Sequence, residues 1–355
     1  PQPAVVGLVA RTDEHLQRIT DLHVHAQRFG HVDARIGRIA CQQDRERRAC
    51  RRLVAEPVRQ AFDARRARRD HRQLVEQGAL GVRLRVRGRE RSRSSDIIIS
   101  EARELVKSGY KEITLLGQNV NSYGNDREGE MNFASLLREI NNIDGDFIIR
   151  FMTSHTKDCT HELLDTMAQC EKVAKHLHLP VQCGNDRVLK AMNRGYTAEK
   201  YLSLLEYARS VMPELSVTSD IIVGFPGETY EEFLDTVKLI EKAQYTSLYT
   251  FIFSPREGTR AAKMDDPVSR EEKGKWFSEL CAAQEKIAAV RTSAMVGREY
   301  RVLCESKAKK DGYISGRTQG NIIIEFPADE SVIGSFRTVR VTEALIWMLK
   351  GELAD

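Results

Sequence analysis

The chain has no lysine before Lys107, no asparagine before Asn119, no tyrosine before Tyr110 and no methionine before Met131. Arginine crowds the same stretch, as in CQQDRERRACRRLV and ARRARRDHRQLV. Cysteine is sparse: Cys41, Cys50, Cys159, Cys170, Cys183, Cys281 and Cys304. An odd number at long, irregular spacings excludes a disulfide framework, and no two stand close enough to form a local metal motif. Each reads as a reduced, partly buried small hydrophobe. No apolar run reaches the roughly 18 residues that cross a bilayer, and no signal-peptide pattern opens the chain. The expected compartment is therefore the cytoplasm, with no membrane partner. A net charge of +4 allows a nucleic-acid partner without demanding one.

After about residue 95 lysine is used freely and the composition becomes conventional. This seam is sharper than a linker would produce. Three readings of residues 1–84 stay open: a basic arm contacting RNA phosphates, a helical domain with solvated arginine faces, or a shifted or opposite-strand reading of a GC-rich gene. Pro57 interrupts the little helical spacing present. Within this arm, TDLHVHAQ sets His23 and His25 two apart after Asp21, so on a strand both imidazoles would share one face. The pair resembles the first motif of metal-dependent amidohydrolases and related phosphoesterases, but the further His and Asp ligands such a site needs are not evident.

Beyond the seam, strands and helices alternate. SSDIIISEARELVKSGY predicts a helix capped by Ser94 or Ser95, with Ile98, Ala102 and Leu105 at helical spacing and Gly109 as its stop. EITLLGQN at 112–119 predicts a buried strand. Helix FASLLREINNI and strand DFIIRFMTS follow, then helix THELLDTMAQCEKV, capped by Thr160, and strand HLHLPVQ. NDRVLKAMN and TAEKYLSLLEYARSVM predict two helices, LSVTSDIIVGF a strand, and TYEEFLDTVKLIEK a helix with Thr229 and Glu232 in capping-box spacing. Strand SLYTFIFSP and a long helix over 269–292 close the run. This order implies a parallel sheet covered by helices. Its chemistry is expected at the C-terminal strand ends. Those ends, GQNVNSYG, TSH, PVQCGNDR, IVGFPGET and FSPREGT, form a polar rim suited to a nucleoside-like ligand.

From about Thr292 short alternating strands are split by Gly, Asp and Lys-rich turns, which predicts a small all-β barrel. Lys307, Lys309, Lys310 and Arg317 are its candidate phosphate contacts, giving a salt-dependent hold on RNA.

LLGQNVNSYG, RFMTSHTKD, HLHLPVQCGNDRVLKAMNRGYT, DIIVGFPGETYEEF and YTFIFSPREGTRAAKM resemble, in order, the motifs of the radical S-adenosylmethionine methylthiotransferases that modify tRNA. The resemblance runs from about Val86 to the C-terminus, and GRTQGNIIIEF resembles a TRAM domain. The implied fold class is α/β: a partial parallel (β/α) barrel of the radical SAM type lacking its first strand, followed by a small all-β, TRAM-like barrel. The implied division is an Arg-rich segment of open assignment, disordered or out of frame, at 1–85, an incomplete radical SAM domain at 86–291 and a TRAM-like RNA-binding domain at 292–355. Implied cofactors are S-adenosylmethionine and two 4Fe–4S clusters, and the implied partner is tRNA, bound by a monomer. The family adds a methylthio group to an isopentenylated adenosine beside the anticodon. One cluster is held by a CxxxCxxC loop, because soft thiolates suit iron–sulfur clusters. By resemblance, Gly117, Gln118 and Asn119 meet the methionine part of S-adenosylmethionine. Gln182 and the turn Val223, Gly224, Phe225, Pro226 and Gly227 meet its ribose and adenine; the turn also has a plain reading as the entry to the capped helix.

CxxxCxxC is missing from the sequence. The expectations are therefore that neither cluster has its ligands, that the chain as given is inactive or a non-catalytic RNA-binding remnant, and that the sheet presents an unpaired edge. Reduced stability is expected unless residues 75–85 substitute as a poor edge strand, and a sharp, cooperative, monomeric melt would count against that loss.

Overall fold

A computed structural model describes the backbone of residues 7–11, and residues 91–354 apart from Gln118 and Thr153. The expectations for DLHVH, for Cys41 and Cys50 and for residues 75–85 lie outside the described residues.

Helix α1 (Ser95–Lys107) follows Ser94 and buries Ser95, Ile98, Ile99 and Ala102 along one stripe. Gly109 ends it at φ +90°, a conformation glycine adopts without strain. Strand β2 (Glu112–Leu116) pairs in parallel with β3 (Ile148–Phe151). The expected open edge of β2 is occupied instead: β1 (Gly7–Arg11) pairs with it antiparallel, Gly7 opposite Leu116 and Arg11 opposite Glu112. A strand from far upstream supplies the ladder partner, antiparallel where the sequence implied a parallel sheet with an open edge.

Helices α2 (Phe133–Asn141) and α3 (His161–Gln169) start where Asn132 and Thr160 accept hydrogen bonds from the third residue onward. A second parallel sheet holds β4 (His176–His178), β5 (Ser216–Val223) and β6 (Ser247–Ile252). One bridge, Ile149 to Val173, joins the two sheets, so the expected continuous sheet is split there. Helices α4 (Asp186–Ala191), α5 (Ala198–Val211), α6 (Tyr230–Ala243) and α7 (Arg270–Ser293) complete the run. The α6 capping box is formed: Thr229 Oγ1 accepts from the Glu232 amide at 3.3 Å, and the Glu232 carboxylate accepts from the Thr229 amide at 2.9 Å. Outward-facing strand residues such as Ile113, Leu115, Leu177 and Val217 are buried with Leu136, Leu164, Phe233 and Leu280 of the helices in one core.

Strands β7 (Glu299–Lys307), β8 (Tyr313–Thr318), β9 (Ile323–Pro327), β10 (Phe336–Ala344) and β11 (Met348–Leu353) close into a barrel in the order β10-β11-β9-β8-β7. Val302, Ile314, Ile324, Phe326, Val339, Val341 and Leu349 fill it. Gly316 permits the closure, since a Cβ there would lie 2.4 Å from the Leu303 carbonyl oxygen. The two parts lock together through Arg150 of β3. Its Nε donates to Glu112 at 2.7 Å, and its other nitrogens donate to the carbonyls of Thr318 (2.9 Å) and Gln319 (3.1 Å). Among the described residues no helix is long and apolar enough to cross a membrane.

Candidate functional site

The C-terminal ends of the parallel strands carry the polar rim. Gly117 follows β2, Gln118 is not among the described residues, and Asn119 caps the short turn Val120–Ser122. Asn119 Nδ2 donates to Asp158 at 2.6 Å, while Asn121 exchanges two hydrogen bonds of 3.0 Å with the His155 backbone. The loops after β2 and β3 are thus cross-tied. The buried Asn119 Oδ1 and Ser154 Oγ have no hydrogen-bond partner. A buried orphan acceptor is costly unless a ligand completes it, and an ammonium donor such as that of a methionine moiety suits Asn119 Oδ1. On this observation the residues fit the methionine part of S-adenosylmethionine.

Gln182 sits four residues past the end of β4 with φ +76°, strained for a residue with a Cβ. Two backbone bonds of 2.9 Å hold it to β5, from its amide to the Asp220 carbonyl and from the Ile222 amide to its own carbonyl. The turn from Val223 to Gly227 is built on Glu228, which accepts from the amides of Gly224 (2.7 Å) and Phe225 (3.0 Å). Burial raises the Glu228 carboxyl to about 6, against those two amides, which favour the charged form. Gly224, Phe225 and Pro226 are buried and Gly227 is partly open. Glu228 is absent from the sequence-level candidates, although an acid directly after a Gly-Phe-Pro-Gly turn is the signal that points to such a clamp.

The inner face of the second sheet is the other feature missed in the sequence. Register sets Asp220 beside Tyr249 and Ile222 beside Phe251. His178 Nδ1 lies 3.0 Å from Thr218 Oγ1, its Nε2 lies 3.6 Å from Asp220, and its ring meets Tyr249 edge-on. Tyr249 and Phe251 are 42% and 54% exposed. Parallel strands are ordinarily apolar on both faces, so the alternate Thr218 and Asp220 were the available signal. Deeper in the same face, burial lowers His176 to about 3 and holds it neutral.

The described cysteines do not fit an iron–sulfur cluster. Cys159, Cys170, Cys183 and Cys304 are separately buried, and no group of three His, Cys, Asp or Glu side chains among the described residues could hold a metal. Burial pushes Cys159 and Cys183 up to about 12, which keeps them as thiols rather than ligating thiolates.

In the C-terminal barrel, Lys307, Lys309 and Lys310 gather at the β7–β8 turn. Lys307 pairs with Glu330, and Lys310 lies 3.9 Å from the ring centre of Tyr313. Arg317 is not brought to them. Lys307 stands opposite Ile314, and Arg317 is three residues further along β8, about 10 Å. It pairs with Glu305 at 3.3 Å, and its charge bears on His176 at the base of the first barrel.

The architecture is a parallel β/α half-barrel with a polar rim, joined to a closed five-stranded barrel. The Radical SAM superfamily pattern matches residues 61–240 and the TRAM domain pattern residues 293–354, and the chain belongs to the radical SAM superfamily. Over 270 residues it is 47% identical to tRNA-2-methylthio-N(6)-dimethylallyladenosine synthase of Thermoanaerobacter sp. (strain X514), covering 76% of this chain and 57% of that protein. The enzyme of the same name from Acetivibrio thermocellus is 48% identical over 269 residues, covering 76% and 56%. The chain thus spans a little over half the length of the curated relatives it matches. Among solved structures, coproporphyrinogen III oxidase of Escherichia coli, described as a radical SAM enzyme, aligns over 65% of this chain and 62% of its own at 15% identity, with a TM-score of 0.43.

Proposed function

We propose that this chain is a methylthiotransferase-type frame that binds S-adenosylmethionine on its rim and tRNA on its TRAM domain. The reaction it descends from adds a methylthio group to isopentenylated adenosine beside the anticodon. The observation that carries this reading is the 47% identity running through both barrels. When bound, the family's clusters supply the electron that cleaves the sulfonium and the sulfur that is transferred. This chain's residues hold and orient instead: Asn119 presents an acceptor to the methionine amino group, Gln182 and the Glu228-clamped turn border the nucleoside, and Tyr249 and Phe251 offer flat apolar surface beside Asp220. Because CxxxCxxC is absent and the described thiols are dispersed, the chain as it stands binds without carrying out the radical step. The reading includes a cytoplasmic monomer with a radical SAM part at 86–291 and a TRAM part at 292–355.

Anaerobic iron–sulfur reconstitution tests it, combined with equilibrium dialysis of S-adenosylmethionine and filter binding of tRNA. The expected result is binding of both ligands without thiolate-to-iron absorbance, and without methylthio-adenosine in the nucleosides of the treated tRNA. A cluster spectrum with product would overturn the proposed loss of chemistry, and failure to bind tRNA would overturn the frame.

A further inference from the structure

A cleft of about 740 Å³ opens at the opposite end of the half-barrel from the rim, between the N-terminal strand ends and the C-terminal barrel. Lys175 precedes β4, Ser216 begins β5 and Thr246 precedes β6; Arg291 comes from the last turn of α7, and Thr318 to Gly320 close the far wall. Two lining hydroxyls, Ser216 Oγ and Thr246 Oγ1, are buried without any hydrogen-bond partner, and Ser216 as a whole is only 3% exposed. Buried hydroxyls of this kind are ordinarily satisfied.

The charge around them is equally incomplete. Among the described residues Arg291 donates to the Leu215 carbonyl alone, at 3.4 Å. Arg209, behind Gln244, donates to the carbonyls of Ala243 and Gln244 and leaves its buried Nε unused. Among the described residues neither guanidinium has a carboxylate within ion-pair distance, although each is partly buried. Burial holds both below the usual arginine range, and for Arg209 the charge of Arg291 adds to the effect. Two neighbouring, half-desolvated cations repel unless an anion lies between or beside them. Along the rest of the lining Arg298 pairs with Glu214 and Arg301 with Asp146, and Lys175 donates to main-chain carbonyls, so Arg291 is the lining guanidinium with no described carboxylate beside it.

Two unsatisfied hydroxyls beside a guanidinium without a carboxylate partner form a set that an anion completes. Water can satisfy the hydroxyls but not the charge. Arginine forks match the paired oxygens of a phosphate, and the volume admits a nucleotide unit. We propose that this cleft is a phosphate-binding site, separate from the cofactor rim, with Arg291, Ser216 and Thr246 as its donors. It does not depend on what the rim binds.

The experiment uses the full chain and inorganic phosphate as probe, titrated against thermal stability with chloride balancing ionic strength. The expected result is a saturable rise in Tm that chloride does not reproduce. Arg291→Met weakens the apparent affinity by about tenfold or more, and Ser216→Ala and Thr246→Val by about three- to tenfold. Should Arg291→Met fail to fold, the two hydroxyl variants decide. A non-saturating rise, or variants equal to the parent, overturns the proposal. The phosphate's source follows from competition. If saturating tRNA abolishes the phosphate response and Arg291→Met weakens tRNA binding, an RNA backbone phosphate occupies the site. If 5′-AMP competes while tRNA affinity is unchanged in the variant, a free nucleotide does.

Discussion

Glu228 shows how one side chain can set both a turn and a pH dependence. Its folded pKa, about 6, lies above the ordinary 4.5 because burial outweighs the two amides it accepts from. The native state therefore holds this proton more tightly than the unfolded chain. Stability from this group is greatest below 4.5 and falls as pH rises through 6, by about 2 kcal/mol in all. His176 acts with the opposite sign. Its folded pKa of about 3 lies below 6.5, so stability is lost as pH falls from 6.5 toward 3. The two windows overlap, and Glu228→Gln separates them, since glutamine still offers an oxygen to Gly224 and Phe225. Denaturant melts across pH 4 to 7 are expected to show the difference in stability between parent and Glu228→Gln changing only between about 4.5 and 6. A constant difference would exclude the buried carboxyl as its source.

Between elements, the buried Arg150–Glu112 pair is the most exposed to mutation. Arg150→Met takes from the buried Glu112 its guanidinium partner and frees the Thr318 and Gln319 carbonyls, so a loss of about 3–5 kcal/mol is expected. The double variant Glu112→Gln with Arg150→Met is expected to recover part of that loss in the same melts, because the buried carboxylate that lost its guanidinium is then neutral. Thr229→Ala, which opens the α6 capping box, is expected to cost about 1 kcal/mol and to leave the rim unchanged. Such caps were legible in the sequence because their signals are local: Thr229 and Glu232, Thr160, and the Gly109 stop all lie within a few residues of what they control. The strand order from 112 to 255 was legible for the same reason, as period and turn chemistry. Long-range pairing was not. Nothing local in GLVAR foretells that it would cover the edge of β2, and Arg317 parts from the lysines only through the β7–β8 register. Asp220 and Tyr249 became neighbours only when β5 met β6.

At the scale of the whole molecule, the polar rim of the half-barrel and the lysine-bearing β7–β8 turn of the C-terminal barrel are separate features. If tRNA is held at the β7–β8 turn, its affinity must depend on salt through the phosphates neutralised there. Lys307 already has Glu330 as a partner, so its charge is partly spent within the barrel. Lys309 and Lys310 are exposed, and neither forms an ion pair with a described carboxylate, so they carry more of the dependence. Replacing both by alanine is expected to reduce the slope of log affinity against log salt by about 1.5 to 2. The same change at Arg317, tied to Glu305 near the base of the first barrel, is expected to alter stability more than slope. Filter binding over a range of salt concentrations reads both outcomes. An unchanged slope in the double lysine variant would place the RNA elsewhere on the molecule, with the cationic cleft around Arg291 as the next surface to test.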